Sequence, residues 1–263
     1  MGKGKLQKFA EMSALPNVYE HTVRYDEACS PSSRPEGGLK ASSLYAQLPI
    51  GQPLVLELGC GRGEYTVGLA REFPKKNFIG VDIKGARMWH GAREAMQDGL
   101  TNAGFLRTQI EFIDRFFAPS EVSELWLTFC DPQMKKPTKR LTSTFFLERY
   151  RHIMPDGGMI HLKTDSQFLF TYTRYVCSAN NIPLECCIED VYAEASMGNE
   201  EAKALSKIKT YYEQQWIARG INIKYLRFRL PASGTLIEPD VEIPLDTYRS
   251  YNREKRSGKD AAK

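Results

Sequence analysis

Three glycines and two carboxylates are the first residues of this chain whose types and spacing could do chemistry. Gly59, Gly61 and Gly63 stand in ELGCGRG, directly after the apolar run LVLEL (54–58) that carries Glu57, and Asp82 ends a second run, NFIGVD (77–82). Glycine lets a chain turn tightly and lets backbone approach a ligand closely. An acid at the end of the second strand of such a unit can accept hydrogen bonds from the hydroxyls of a ribose.

The spacing decides between cofactors. A dinucleotide fingerprint, G-x-G-x-x-G, needs glycine at position 64, where this chain has Glu64, a poor neighbour for a pyrophosphate. S-adenosylmethionine has a ribose, no phosphate, and cationic amino and sulfonium groups, so an acidic, glycine-lined pocket suits it. A glycine turn by itself is weak evidence, because structural turns use the same residues, and NAD-linked chemistry is the other alternative left open here.

Three later segments place polar groups where a ligand could meet them. TFCDPQMKKPTKR (128–140) puts Asp131 at the end of the fourth apolar run, with Lys135, Lys136, Lys139 and Arg140 behind it. The plain reading is a solvated loop with an Asp-Pro turn; the chemical one is a carboxylate beside a transferable methyl group. The amino-methylating pattern D-P-P-Y is not matched at Gln133 and Met134. HLKTDSQ (161–167) offers Asp165, or a helix N-cap by Asp165 or Ser166. In TYYEQQWIARGI (210–221), Tyr212 and Trp216 share a helix face suited to packing, and Glu213 lies on a neighbouring face, solvated or functional.

These residues need a scaffold. Short apolar runs at 54–58, 77–82, 103–107, 124–130 and 159–163 alternate with helical patterns at 64–73, 84–97, 142–154 and 166–179, and LECCIED (184–190) and INIKYLRFRL (221–230) supply two more strands. Such alternation predicts parallel strands covered on both faces and right-handed crossovers. The expected fold is α/β, a doubly wound, mostly parallel, seven-stranded sheet of the class I S-adenosylmethionine-dependent methyltransferase type. Ligands in such sheets bind at the carboxyl ends of the strands where strand order reverses. Residues 1–50 read as a basic N-terminal arm with some helix, 51–230 as the methyltransferase domain, and 231–263 as a flexible C-terminal extension that hangs off the domain or lies along it.

The net charge of +4 on 263 residues excludes a histone-like polycation and names no ligand. Its distribution is more informative. Residues 1–9 carry Lys3, Lys5 and Lys8 and no acid, 131–140 carry four bases against Asp131, and 249–263 carry six bases against two acids, while 231–248 hold Glu238, Asp240, Glu242 and Asp246 and no base. Local basic patches suit a polyanion that touches a few places. Six cysteines without a C-x-x-C pair and four scattered histidines predict reduced thiols and no metal site. No stretch approaches the roughly 18 to 20 apolar residues of a membrane span, and the first residues lack a signal-peptide core, so a cytoplasmic protein is expected.

Taken together, LELGCGRGEYTVGLA, NFIGVDIKGAR, FLR, TFCDPQMKKPTKR, FLERYRHIMPDGG, KTD and TYYEQQW resemble the bacterial tRNA (guanine-N7)-methyltransferases, in order from about Leu54 to Leu230. The resemblance implies methyl transfer from S-adenosylmethionine to N7 of a guanine in tRNA, at position 46 of the variable loop. It implies cofactor contacts from Glu57, Gly59, Gly61, Gly63 and Asp82, and from Gln109, which stands where the family often has an acid. Asp131 takes the catalytic role. Lys135, Asp165 and the stretch Thr210 to Glu213 contact the substrate, with Asp165 and Glu213 as candidate guanine readers, and Lys136, Lys139 and Arg140 join Lys135 on tRNA phosphates. The family's F-P-D-P-W reads Phe129-Cys130-Asp131-Pro132-Gln133 here, without the aromatic, and the tail beyond Pro231 has no familial counterpart. A monomer or homodimer with no obligate protein partner is expected. The alternatives are a methyltransferase for another substrate and a catalytically silent tRNA-binding module.

Overall fold

The computed structural model describes residues 3–21 and 39–248. The basic run at 249–263 and the Pro/Ser/Gly cluster at 30–38 fall outside the described residues. Helix α1 (Lys3–Ser13) and strand β1 (Val18–Glu20) come first, and the description resumes with a 3-10 turn at Leu39–Ala41 and α2 (Ser43–Gln47). The alternating body follows as β2 (Leu54–Leu58), α3 (Glu64–Glu72), β3 (Asn77–Asp82), α4 (Gly85–Gln97), β4 (Ala103–Arg107), β5 (Val122–Thr128), α5 (Thr144–Arg151), β6 (Gly158–Thr164), α6 (Gln167–Ala179) and β7 (Leu184–Ile188). Three short helices, α7 (Val191–Ser196), α8 (Glu200–Ser206) and α9 (Tyr211–Ile217), then lead to β8 (Lys224–Leu230).

The strands form one sheet in the order β1-β4-β3-β2-β5-β6-β8-β7, parallel except for β8, which runs antiparallel to both neighbours. Every residue of β2 is buried, as expected of a strand covered on both faces. The period of two sorts its side chains. Leu54, Leu56 and Leu58 join the core that includes Ile79, Leu125 and Leu162, whereas Val55 joins Phe78, Trp126 and Tyr225. Glu57 therefore faces the Val55 side, the side that α3 covers. From β2 the chain builds outward through β3 and β4, then returns to the other side through β5 and β6, so strand order reverses between β2 and β5.

The sheet has eight strands where seven were expected. The extra one is β1, three residues of the N-terminal arm that pair in parallel with β4, Val18 opposite Phe105. Three residues are too few to show a period, and pairing there covers what would otherwise be an open strand edge. Helix α1 packs on α4 in the same region: the Trp89 indole donates to Glu11 at 2.8 Å and Lys8 lies over the Trp89 ring. The fourth apolar run also ends sooner than its letters indicate. Strand β5 stops at Thr128, and Phe129 takes φ 51°, a left-handed value that turns the chain out of the sheet.

Residues 231–247 have no regular structure but run along α5 and α6. The Arg151 guanidinium donates to the carbonyls of Pro231, Ser233 and Gly234 at 2.7–2.9 Å, and Asn180 exchanges two hydrogen bonds with the backbone of Ile237. Two of the four tail acids lie at helix N-termini. Glu238 accepts from the backbone N–H and hydroxyl of Thr144 at the start of α5, and Asp246 accepts from the Phe168 N–H at the start of α6. Helix N-termini present unpaired N–H groups and partial positive charge, which explains acids in a segment without bases. Among the described residues no helix is long and apolar enough to cross a membrane.

Candidate cofactor and acceptor site

A cavity of about 750 Å³ opens at the carboxyl ends of β2, β3, β4 and β5, where strand order reverses. Its wall contains Glu57, Gly59, Gly61, Asp82 and Gln109 of the expected cofactor set, together with Asp131 and Thr210 of the expected acceptor set. The glycine loop is drawn over the strand ends by backbone bonds from Gly59 and Cys60 to the Val81 carbonyl, at 2.8 and 3.1 Å. Gly59 and Gly61 take φ of 79° and 56°, values that favour glycine. Asp82 ties the loop to the next turn: Gly61 N–H donates to its Oδ2 at 3.0 Å and Lys84 N–H to its Oδ1 at 2.8 Å.

Gly63 has a different task. It does not line the cavity. A Cβ there would lie 2.5 Å from the Phe105 ring and 3.1 Å from the Gly91 Cα, so the glycine lets the start of α3 close against β4 and α4. Two of the three glycines therefore line the cavity and one serves packing.

Glu57 is buried, and both its oxygens are held. Thr66 N–H donates to Oε2 at 2.8 Å, the Thr66 hydroxyl donates to the same oxygen, and the Thr128 hydroxyl donates to Oε1. Burial pushes its carboxyl up to about 7, against those hydrogen bonds, which favour the charged form. Thr66 and Thr128 were not singled out in the sequence. The signal was present: Thr128 follows Trp126 by two on the same face of β5, and Thr66 lies one turn into the helix that follows the loop.

The direction of that shift fixes a pH dependence. Between the unfolded value near 4.5 and about 7, the folded chain keeps a proton that the unfolded chain releases, so Glu57's contribution to stability falls as pH rises through that window. A cation bound beside it favours the ionised form. Affinity for S-adenosylmethionine should therefore tighten as pH rises from 6 towards 7, by up to about tenfold per unit, with release of a proton. Calorimetric titration in buffers of different ionisation enthalpy measures both. A pH-independent affinity with no proton release would remove Glu57 from the cationic end of the ligand.

On the acceptor side, Asp131 is exposed, and its Oδ1 accepts from Gln133 N–H at 3.0 Å. Phe129 and Gln133, the residues two before and two after it, both take left-handed φ, 51° and 46°. A non-glycine residue held there costs energy, so the backbone on both sides of this carboxylate is held in a strained shape by its surroundings. Lys135 and Lys136 are exposed on the loop, and Lys139 pairs with Glu111 at 2.7 Å. Glu111 also lines the cavity, two residues after Gln109, so this wall carries an acid although Gln109 is not one. Arg140 is placed apart from these lysines. It is buried, donates to the carbonyls of Gln133 and Met134, and lies over the rings of Phe168 and Tyr172 at 4.8 and 4.4 Å, holding the loop's shape.

Thr210 and Glu213 belong to one device at the start of α9. Their side chains cap each other's backbone N–H groups, Glu213 N–H to Thr210 Oγ1 at 3.1 Å and Thr210 N–H to Glu213 Oε2 at 3.2 Å. The other oxygen of Glu213 meets Lys163 Nζ at 2.7 Å and the Tyr192 hydroxyl at 2.9 Å. Glu213 and Lys163 are both fully buried. Thus Thr210 reaches the cavity wall, while Glu213 lies behind it. Asp165 is also buried, outside the cavity wall, and accepts a hydrogen bond from the Tyr248 hydroxyl at 2.8 Å. Ser166, not Asp165, caps α6, accepting from Leu169 N–H at 2.9 Å.

The residues present fit S-adenosylmethionine. A glycine loop with left-handed turns, a carboxylate at the end of β2 and another at the end of β3 suit its amino-acid and ribose ends, and Gln109 and Ile110 complete the wall beyond β4. Fold and site together define the class: a methyltransferase that takes its methyl group from S-adenosylmethionine. A family profile described as a putative methyltransferase matches residues 51–226. The tRNA (guanine-N(7)-)-methyltransferase of Bacteroides thetaiotaomicron is 57% identical over 263 residues, covering all of both chains, and that of Bacteroides fragilis is 56% identical over the same span. The Porphyromonas gingivalis enzyme of the same name is 57% identical over 206 residues, 78% of this chain and 83% of its own. A solved structure described as an antibiotic related methyltransferase superposes with a TM-score of 0.50 at 14% identity, over 71% of this chain and 92% of that one, which is a likeness of fold alone. The chain belongs to the tRNA (guanine-N(7)-)-methyltransferase family.

Proposed function

We propose that this protein transfers a methyl group from S-adenosylmethionine to N7 of a guanine in tRNA, at position 46 of the variable loop. The observation that carries the reading is the position of Asp131, on the same cavity wall as the glycine loop and at the root of a loop with exposed Lys135 and Lys136, in a chain with 57% identity to a full-length relative of that name. S-adenosylmethionine, when bound, supplies an electrophilic methyl group.

Guanine N7 carries an in-plane lone pair and no proton, so no residue has to create the nucleophile. The chain's own work is to align the base and to offset the positive charge that spreads over the purine as the bond forms. Asp131 does the second. Its loop is held from behind by Arg140, so the carboxylate need not reorganise during the reaction. Thr210 borders the acceptor side, positioned by Glu213 through the capping box. Asp165 reads the base's N–H donors. Lys135, Lys136 and Lys139 contact tRNA phosphates, which position the substrate without reading sequence. The protein acts in the cytoplasm, as a monomer or homodimer.

Incubation with labelled S-adenosylmethionine and unmodified tRNA, followed by nucleoside mass analysis, should yield 7-methylguanosine, and a transcript with adenine at position 46 should yield none. A different methylated nucleoside would redirect the reading to another acceptor. Binding of tRNA without incorporated label would leave a silent RNA-binding module.

A further inference from the structure

The tail ends its described course inside the acceptor region. Residues 246–248 touch three separated pieces of it at once. Asp246 N–H donates to Met134 Sδ in the basic loop at 3.2 Å, and its carboxylate accepts from the Ser166 hydroxyl and from Phe168 N–H at the start of α6. The Tyr248 hydroxyl donates to Asp165 Oδ2 at 2.8 Å. The Tyr248 ring meets Trp216 edge to face, centroids 5.3 Å apart, and Trp216 is part of the cavity wall. Asp246 is itself buried, and Glu238 anchors the tail further back on Thr144 and Tyr172.

A phenol and a guanine share the chemistry that matters here. Each is a planar aromatic ring with a donor at its edge, able to face a carboxylate while its ring lies against an indole. With the tail in place Asp165 has no exposed surface, and the Tyr248 hydroxyl occupies its Oδ2, so a base that bonds that oxygen has to take the place of Tyr248. We propose that Tyr248 is a removable stand-in for the acceptor guanine: it keeps the Asp165 carboxylate hydrogen-bonded in the free protein and must be displaced, with residues 246–248, when tRNA binds. This rests on the reading of Asp165 as a base-contacting residue. It gives the tail a function in substrate entry: the binding-competent state is a fraction of the free protein, and apparent affinity for tRNA is reduced by that fraction.

Tyr248→Phe keeps the ring and removes the donor. A hydrogen bond to a charged acceptor is lost from the closed state only, so KM for tRNA should fall about tenfold with kcat unchanged. Folding of the variant is checked by its cofactor affinity, which should equal that of the unsubstituted protein. An unchanged KM would make Tyr248 a packing residue, and a lower kcat/KM would mean that it positions Asp165 in the working complex; either result overturns the stand-in. Hydrogen exchange decides the same point on the unsubstituted protein. Saturation with unmodified tRNA in the presence of S-adenosylhomocysteine should speed exchange at the Asp246 amide, and equal or slower exchange would overturn displacement. If the unsubstituted protein forms no 7-methylguanosine, the proposed function falls; if it does and these two measurements fail, only the stand-in falls.

Discussion

Asp131→Asn should turn over about 10² to 10³ times more slowly than the unsubstituted protein, a loss of about 2.7 to 4 kcal/mol of transition-state stabilisation, the size found when one aimed electrostatic group is removed. Asparagine suits the test because it keeps the shape and the turn. The bond from Gln133 N–H to Oδ1 needs only an acceptor oxygen, which the amide retains, so the left-handed residues at 129 and 133 have no reason to relax. Cofactor affinity and tRNA affinity should hold within a few-fold, since the carboxylate is exposed in the free protein and its charge matters as the purine becomes cationic. Single-turnover methyl transfer at saturating tRNA and cofactor isolates the step. Turnover near that of the unsubstituted protein would remove Asp131 from the mechanism and leave positioning alone as the source of rate.

The alternation of strands and helices was legible because strands covered on both faces read as continuous apolar runs. LVLEL and NFIGVD admit little else, and the reversal between β2 and β5 follows from where consecutive crossovers must go. Strand β1 was hidden because three residues have no period, and α7 and α8 because six- and seven-residue helices carry little pattern. The cofactor end of the cavity was legible for a local reason: left-handed turns require glycine, and the acids sit at strand ends. Gly63 shows the limit of that reasoning, since a glycine of the motif can be required by a neighbouring ring and not by the ligand.

The acceptor end was less legible because its contacts join distant segments. Counting bases put Arg140 with the lysines, and nothing in a charge count distinguishes a guanidinium over two aromatic rings from one in water. The tail's role was hidden because its bonds run from isolated carboxylates to helix N-termini, without a repeating pattern. Two signals were available at Glu213. T-x-x-E at 210–213 is the capping-box spacing, and Lys163 inside the apolar run MIHLK is a base in a buried strand, which demands a buried acid elsewhere.

That pair carries the second large effect. Glu213→Ala should destabilise the fold by about 3 to 5 kcal/mol, as expected when one member of a buried ion pair is removed and the other charge stays behind. Such a loss is a large part of the roughly 5 to 15 kcal/mol that holds a domain together. In the variant, the hydrogen-bond acceptors left to Lys163 among the described residues are the carbonyls of Leu205 and Ile208. Burial already lowers the Lys163 ammonium below its usual value, with Glu213 opposing the shift, so removing Glu213 lowers it further. A lysine whose folded value lies below its unfolded one binds fewer protons in the folded state, and stability then rises with pH. The deficit of Glu213→Ala should therefore shrink as pH rises from 7 towards 10, which urea unfolding at a series of pH values would record. Lys163→Met combined with Glu213→Leu should recover much of the stability, because it removes both buried charges. It should not recover methyl transfer, since the capping box that sets Thr210 on the cavity wall is lost with the carboxylate. A double variant that is stable and fully active would show that α9 is placed by packing alone, and a pH-independent deficit in Glu213→Ala would show that the ammonium finds water when its partner is gone.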